Sequence, residues 1–82
     1  MASGGLKLRL EGVRRGDRRV RFARVTVASS RDEDEFDLVT DSCGRLAYRL
    51  PAGRYRLRVA EAAEARFAVG GERWTSVRLR LP

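Results

Sequence analysis

No histidine occurs in this chain, and isoleucine, asparagine and glutamine are absent as well. Without an imidazole the commonest general base is missing, and so is a principal metal ligand. Cysteine occurs once, as Cys43, so no internal disulfide can staple the fold. Such usage is compatible with a reducing compartment. No apolar run approaches the roughly 20 residues of a membrane-spanning helix. Met1-Ala2-Ser3-Gly4-Gly5 has neither the basic segment nor the apolar stretch of a secretory leader. These absences give the expectation of a cytoplasmic chain with no membrane span. Residues 1–5 read as a flexible lead-in and residues 6–82 as a single domain. A domain of this size buries roughly 60–65% of the surface its unfolded chain exposes. Its expected stability is on the order of 5–10 kcal/mol.

Charge is abundant and one-sided. Lysine plus arginine number 18 against 11 acids, for a net charge of +7. Lys7 is the only lysine. Lysine, isoleucine and asparagine have A/T-rich codons, so their scarcity points to a bacterium with a G+C-rich genome. That explains why the basic residues are arginine, but not why there is an excess of them. An excess of this kind suits a polyanion partner or a merely solvated surface.

Hydrophobic alternation of period two runs nearly end to end. Leu6, Leu8 and Leu10 alternate with Lys7, Arg9 and Glu11; Leu46, Tyr48 and Leu50 with Arg45, Ala47 and Arg49. Tyr55, Leu57 and Val59 alternate with Arg54, Arg56 and Arg58; Val77, Leu79 and Leu81 with Arg78 and Arg80. Successive strand side chains point to opposite faces, so each segment offers one apolar and one basic face. That pattern belongs to antiparallel strands with one face in water. Turn signals at Arg15-Gly16-Asp17, Asp41-Ser42-Cys43-Gly44, Pro51-Ala52-Gly53 and Gly70-Gly71 separate the runs. The map is seven strands near 6–12, 19–28, 36–40, 45–50, 54–60, 64–69 and 74–81, a sandwich or barrel. Parity slips between Phe22 and Val25, which predicts a bulge near Ala23-Arg24. Residues 60–65 read as a loop or a single turn. The expected core is Leu8, Leu10, Val25, Val27, Leu46, Tyr48, Tyr55, Leu57, Val59, Phe67, Val77 and Leu79.

Three segments carry a resemblance. They are Ala23-Arg24-Val25-Thr26-Val27, Thr40-Asp41-Ser42-Cys43-Gly44-Arg45-Leu46, and Leu50-Pro51-Ala52-Gly53-Arg54-Tyr55-Arg56-Leu57-Arg58-Val59. In this order they resemble the carboxypeptidase-regulatory-like domains, which share a transthyretin-like sandwich with collagen-adhesin B-type repeats. The resemblance implies an all-β, seven-stranded antiparallel two-sheet sandwich that serves as an accessory, linking or binding module. It implies no particular ligand. The turn chemistry agrees with it. Gly44 permits a positive φ at the hairpin. Tyr55 is placed to bury its ring and carry its hydroxyl to a backbone acceptor.

Enzymatic chemistry finds little support. The carboxypeptidase activity of the family name belongs to a separate catalytic domain. Hydroxyisourate hydrolases share the transthyretin fold but rely on histidines. Cys43, between Asp41 and Arg45, has no histidine to activate it. Isopeptide crosslinking, known in related adhesin domains, needs a first-strand lysine and an acceptor on the last strand. Lys7 meets the first need, but residues 73–82 contain neither asparagine nor acid. The cluster from Asp32 to Asp37 makes Asp32, Asp34 and Asp37 candidate Ca²⁺ ligands. Its spacing fits no EF-hand loop, so a solvated loop is the favoured reading, and no cofactor is expected. The arginine ladders Arg54, Arg56 and Arg58; Arg78 and Arg80; Arg45 and Arg49, together with Lys7 and Arg9, are the partner-binding candidates. They would merge into a basic plate wherever their strands are neighbours. Outward positions carry no aromatic for stacking on bases, and Trp74, at the start of the last strand, reads as core or partly buried, with a binding anchor as the alternative. The favoured function is a non-catalytic protein–protein interaction or scaffolding module. Its partner would be a parent chain, an assembly, or another copy through edge strands. The alternative is a polyanion-binding module that takes nucleic acid, phosphate or an anionic surface on an arginine-rich sheet face, nucleic acid not being favoured.

Overall fold

The computed structural model describes residues 4–31, 35–60 and 63–82. It contains seven strands: β1 Gly5–Glu11, β2 Arg24–Ser29, β3 Glu35–Val39, β4 Arg45–Arg49, β5 Gly53–Val59, β6 Ala63–Val69 and β7 Trp74–Arg80. They form two sheets, one ordered β4-β1-β7 and the other β3-β2-β5-β6. Among the described residues no helix is long and apolar enough to cross a membrane.

Pairing is antiparallel except between β1 and β7, which run parallel with Leu8 beside Val77. A parallel partner needs a crossover rather than a hairpin, and here the whole chain between β1 and β7 supplies it. The strand periodicity places alternate residues inward as expected. Leu6, Leu8 and Leu10 from one sheet meet Val25, Val27, Leu57 and Val59 from the other. Tyr55 and Phe67 stack at 5.4 Å, and the Tyr55 hydroxyl donates to the Pro51 carbonyl at 2.6 Å. Burial raises the Tyr55 phenol above its ordinary pKa. Leu46, Val77 and Leu79 are only half-buried, and Tyr48, expected inside, is 44% exposed. The reason is position: β4 and β7 are the outer strands of a narrow three-stranded sheet, so their inward faces reach the rim of the core.

The segment expected to bulge behaves differently. Strand β2 begins at Arg24, not near residue 19. Residues Arg18–Val20 form a 3-10 turn, capped by the Asp17 carboxylate accepting from the Arg19 N–H. The parity slip is absorbed by Phe22, whose φ of 48° lies in the left-handed region. Phe22 is 68% exposed. Thr40 closes this corner, its buried hydroxyl donating to the Val20 carbonyl and accepting from the Ala23 N–H.

Two boundaries also shift. Strand β6 starts at Ala63, because β5 pairs with it as far as Val59 opposite Ala63. Strand β1 starts at Gly5, within the expected lead-in, and the Gly4 carbonyl accepts from Leu50. The 41–44 turn matches its signature. Gly44 has φ 79° and donates to the Asp41 carbonyl, while Asp41 donates to the Arg45 carbonyl.

Candidate functional site

The register decides which arginines become neighbours. Outward positions of the three-stranded sheet fall in rows, with β1 in the middle. Gly5 lies between Arg49 and Trp74, and Lys7 between Ala47 and Ser76. Arg9 lies between Arg45 and Arg78, and Glu11 is beside Arg80. Six basic side chains thus share one face with one carboxylate, Glu11, for a net +5. Glu11 forms an ion pair with Arg78, its carboxylate 3.1 Å from the Arg78 Nε. The row Arg45–Arg9–Arg78 spans the sheet with like charges directly opposite.

Gly5, Ala47 and Ser76 are small, so the face is lowest between Trp74 and the arginine row. An open depression of about 700 Å³ lies there, lined by Lys7, Arg9, Asp41, Arg45, Ala47, Ser76 and Arg78. Trp74 is 37% exposed and lies over Gly5, where a Cβ would come within 2.7 Å of its ring. The Lys7 ammonium sits 5.7 Å from the Trp74 ring centroid, a cation–π contact. Trp74 therefore belongs to the basic face and not to the core. The signal was in its numbering: it has the parity of Arg78 and Arg80, not of Val77 and Leu79. A free aromatic beside cations also removes the expectation that outward positions lack a stacking group.

The β5 ladder lies elsewhere. Arg54, Arg56 and Arg58 point outward from the four-stranded sheet, among acids. Arg58 is opposite Glu64 on β6 and Thr26 on β2, and Thr26 is opposite Asp37 on β3. Arg24 approaches Asp37 at 3.9 Å, and Thr26 donates to the same carboxylate at 2.8 Å. Five outward arginines on this face (Arg24, Arg54, Arg56, Arg58, Arg66) stand with Glu35, Asp37 and Glu64, for a net +2. The ladders thus fall on two faces: a strongly basic one holding Arg45, Arg49, Arg78 and Arg80, and a mixed one holding Arg54, Arg56 and Arg58.

Of the candidate calcium ligands, Asp32 and Asp34 lie outside the described residues, and Asp37 is engaged by Thr26 and Arg24. Among the described residues no three His, Cys, Asp or Glu side chains cluster as a metal centre requires. Cys43 is exposed. The neighbouring Asp41 carboxylate accepts from the backbone N–H groups of Arg45 and Cys43. These bonds hold it below its ordinary pKa, which makes it a poor base for the thiol.

No protein-family model matches the chain, and no curated protein sequence does. Solved structures do share its shape. The Bacillus anthracis TIE protein superposes with a TM-score of 0.78 at 17% identity, over 98% of this chain and 16% of that one. Klebsiella pneumoniae 5-hydroxyisourate hydrolase superposes with a TM-score of 0.64 at 18% identity, over 100% of this chain and 92% of that one. The chain therefore has a transthyretin-like β-sandwich fold, and it spans only a small part of the TIE protein's length.

Proposed function

We propose that this chain is a non-catalytic protein-interaction module, whose three-stranded sheet receives an acidic segment of a partner protein on its outer face. The ordered hairpin motifs support reading it as a carboxypeptidase-regulatory-like accessory domain or a small subunit of an assembly. The row Arg45–Arg9–Arg78 carries the proposal. Like charges directly opposite across strands cost stability, and a ligand of opposite charge relieves that cost. Glu11 pairs with Arg78 at one end of the row and the Asp41 carboxylate lies near Arg45 at the other, which leaves Arg9 at the centre for the ligand. The low floor at Ala47 and Ser76 gives an extended segment room between these arginines and Trp74. Cytoplasmic residence belongs to the same proposal.

A second reading, polyanion binding, draws on Trp74 beside Lys7, since base–aromatic stacking with cations is the usual equipment for single-stranded nucleic acid. One titration separates the two. Trp74 is the only tryptophan, so its fluorescence reports on the face. A polyglutamate peptide and an oligothymidylate are each titrated at low salt and at about 0.15 M salt, where the Debye length is near 8 Å. The proposal expects the peptide to perturb Trp74 at both salts and Arg9→Glu to abolish the effect. Response to the oligonucleotide alone favours the second reading. No response to either probe removes both.

A further inference from the structure

The two sides of the sandwich end differently. On one side β6 and β7 lie against each other, and the Thr75 hydroxyl donates to the Ala68 carbonyl at 2.6 Å. The long β7 is therefore partly covered. On the other side β3 ends the four-stranded sheet and β4 ends the three-stranded one. The Phe36 and Tyr48 rings meet there at 5.7 Å.

Bonds at the strand ends show which backbone groups face out. Leu10 donates to the Gly44 carbonyl, and Leu50 to the Gly4 carbonyl. Bonded pairs recur at every second residue of an antiparallel ladder. The even-numbered residues of β4 therefore bond to β1, and Ala47 and Arg49 turn their N–H and C=O groups outward. Arg45 has the same parity, but its N–H and C=O close the turn onto Asp41. On β3, Thr40 donates to the Ala23 carbonyl. Glu35, Asp37 and Val39 consequently face outward with their backbone groups. One edge thus carries Glu35 and Asp37, and the other Arg45 and Arg49.

We propose that this side of the sandwich binds the same side of a second copy, each β4 adding as an antiparallel strand to β3 of the other chain. A two-fold axis along the strands, in the gap beyond Phe36 and Tyr48, makes both pairings at once. Rotation about it exchanges the two layers and preserves strand direction. The 40–44 turn sets β3 and β4 in opposite directions, so both new pairs are antiparallel. With Ala47 opposite Asp37, Arg49 falls opposite Glu35. Charged edges usually deter pairing. Here they deter β3 from β3 and β4 from β4 while favouring the mixed pair, which selects one arrangement. The half-exposed Tyr48 is covered in the process. The pairing edge shares Ala47 and Arg49 with the basic face, while Lys7, Arg9, Arg78 and Trp74 lie on β1 and β7 away from it; sedimentation tests the dimer and peptide titration the face, so either proposal can fail without the other.

Sedimentation velocity at about 0.1 mM protein suits a small interface of this kind. The wild-type chain is expected to be a dimer. Ala47→Pro removes an outward N–H that makes no bond to β1 and should give a folded monomer, checked by circular dichroism. Glu35→Arg or Arg49→Glu alone turns two symmetric attractions into repulsions and should weaken the dimer by about tenfold. The double variant Glu35→Arg/Arg49→Glu should restore it. A monomeric wild-type chain overturns the proposal. So does an Ala47→Pro dimer of wild-type strength, or a double variant no better than the single ones.

Discussion

Replacing Thr40 by valine keeps the shape of the side chain and removes one hydroxyl. Thr40 is 2% exposed. Its Oγ1 donates to the Val20 carbonyl at 2.7 Å and accepts from the Ala23 N–H at 2.8 Å. Those two backbone groups flank the left-handed Phe22, where the chain leaves the 3-10 turn and enters β2. No sheet ladder can reach them, so the hydroxyl takes the ladder's place. Without it both groups lose their partner in a half-buried corner. An orphaned buried group costs about 1–3 kcal/mol, and water reaches part of this corner. The expected loss is about 2–4 kcal/mol for the pair. Set against a total of roughly 5–10 kcal/mol, that is a large fraction. The melting temperature should fall by about 10–25 °C. Urea unfolding followed by far-UV circular dichroism measures the loss, with Thr26→Val as the control. The Thr26 hydroxyl is exposed and bonds only Asp37, so that change should stay within about 0.5 kcal/mol. If Thr40→Val also unfolds within about 0.5 kcal/mol of wild type, the account of this corner is wrong.

Other expectations follow from the same packing. Leu57→Ala, at a position with no exposed surface, should cost about 2–5 kcal/mol by urea titration; an unchanged midpoint would refute the register of β5. Phe22→Gly should raise stability by up to about 1 kcal/mol, because relief of the left-handed strain outweighs the added freedom of the unfolded chain. A loss there would mean that the exposed ring makes contacts worth more than the strain. Asp17 and Asp41 are both held below the ordinary carboxylate value of 3.8, Asp17 chiefly by its hydrogen bonds to Arg19 and Asp41 by the backbone N–H groups of Arg45 and Cys43. The unfolded chain binds more protons than the native one in that range, so their contribution is complete above 3.8 and lost as pH falls below it. An Asp41→Asn variant should therefore lose less stability between neutral and strongly acid pH than wild type does. A strong chelator should leave the melting temperature unchanged; a clear drop would restore the calcium reading of Asp32, Asp34 and Asp37.

The strands were legible because each buries one face, and that forces an alternation any reader can follow from Leu6 to Leu81. The 41–44 hairpin was legible for another reason: Gly44 sits where only a residue tolerant of positive φ is comfortable. The errors lie where local pattern and tertiary setting part. Tyr48 has core parity, but parity cannot tell a central strand from one at the rim of a narrow sheet. Phe22 is a hydrophobe in a strand-like run, yet the chain leaves β geometry there because Thr40 anchors the backbone on both sides of it. The parallel β1–β7 pair could not be seen locally, since pairing partners leave no mark on either strand alone. The basic site was half legible. Each arginine ladder was visible strand by strand, but only the register joins Arg45, Arg9 and Arg78 and sends Arg54, Arg56 and Arg58 to the acid-balanced sheet. Trp74 reads as core or partly buried before a binding anchor, although its even parity already sets it on the face of Arg78 and Arg80.

The central claim is that the outer face of the β4-β1-β7 sheet is where this module meets an acidic partner. Backbone amide chemical shifts of isotopically labelled protein, followed during titration with the polyglutamate peptide, test it most directly. The account predicts shift changes concentrated at Lys7, Arg9, Arg45, Ala47, Ser76 and Arg78, together with the Trp74 indole N–H, and little change along β5 and β6. Changes centred on Arg54, Arg56 and Arg58, or a spectrum that does not respond to the peptide, would contradict it.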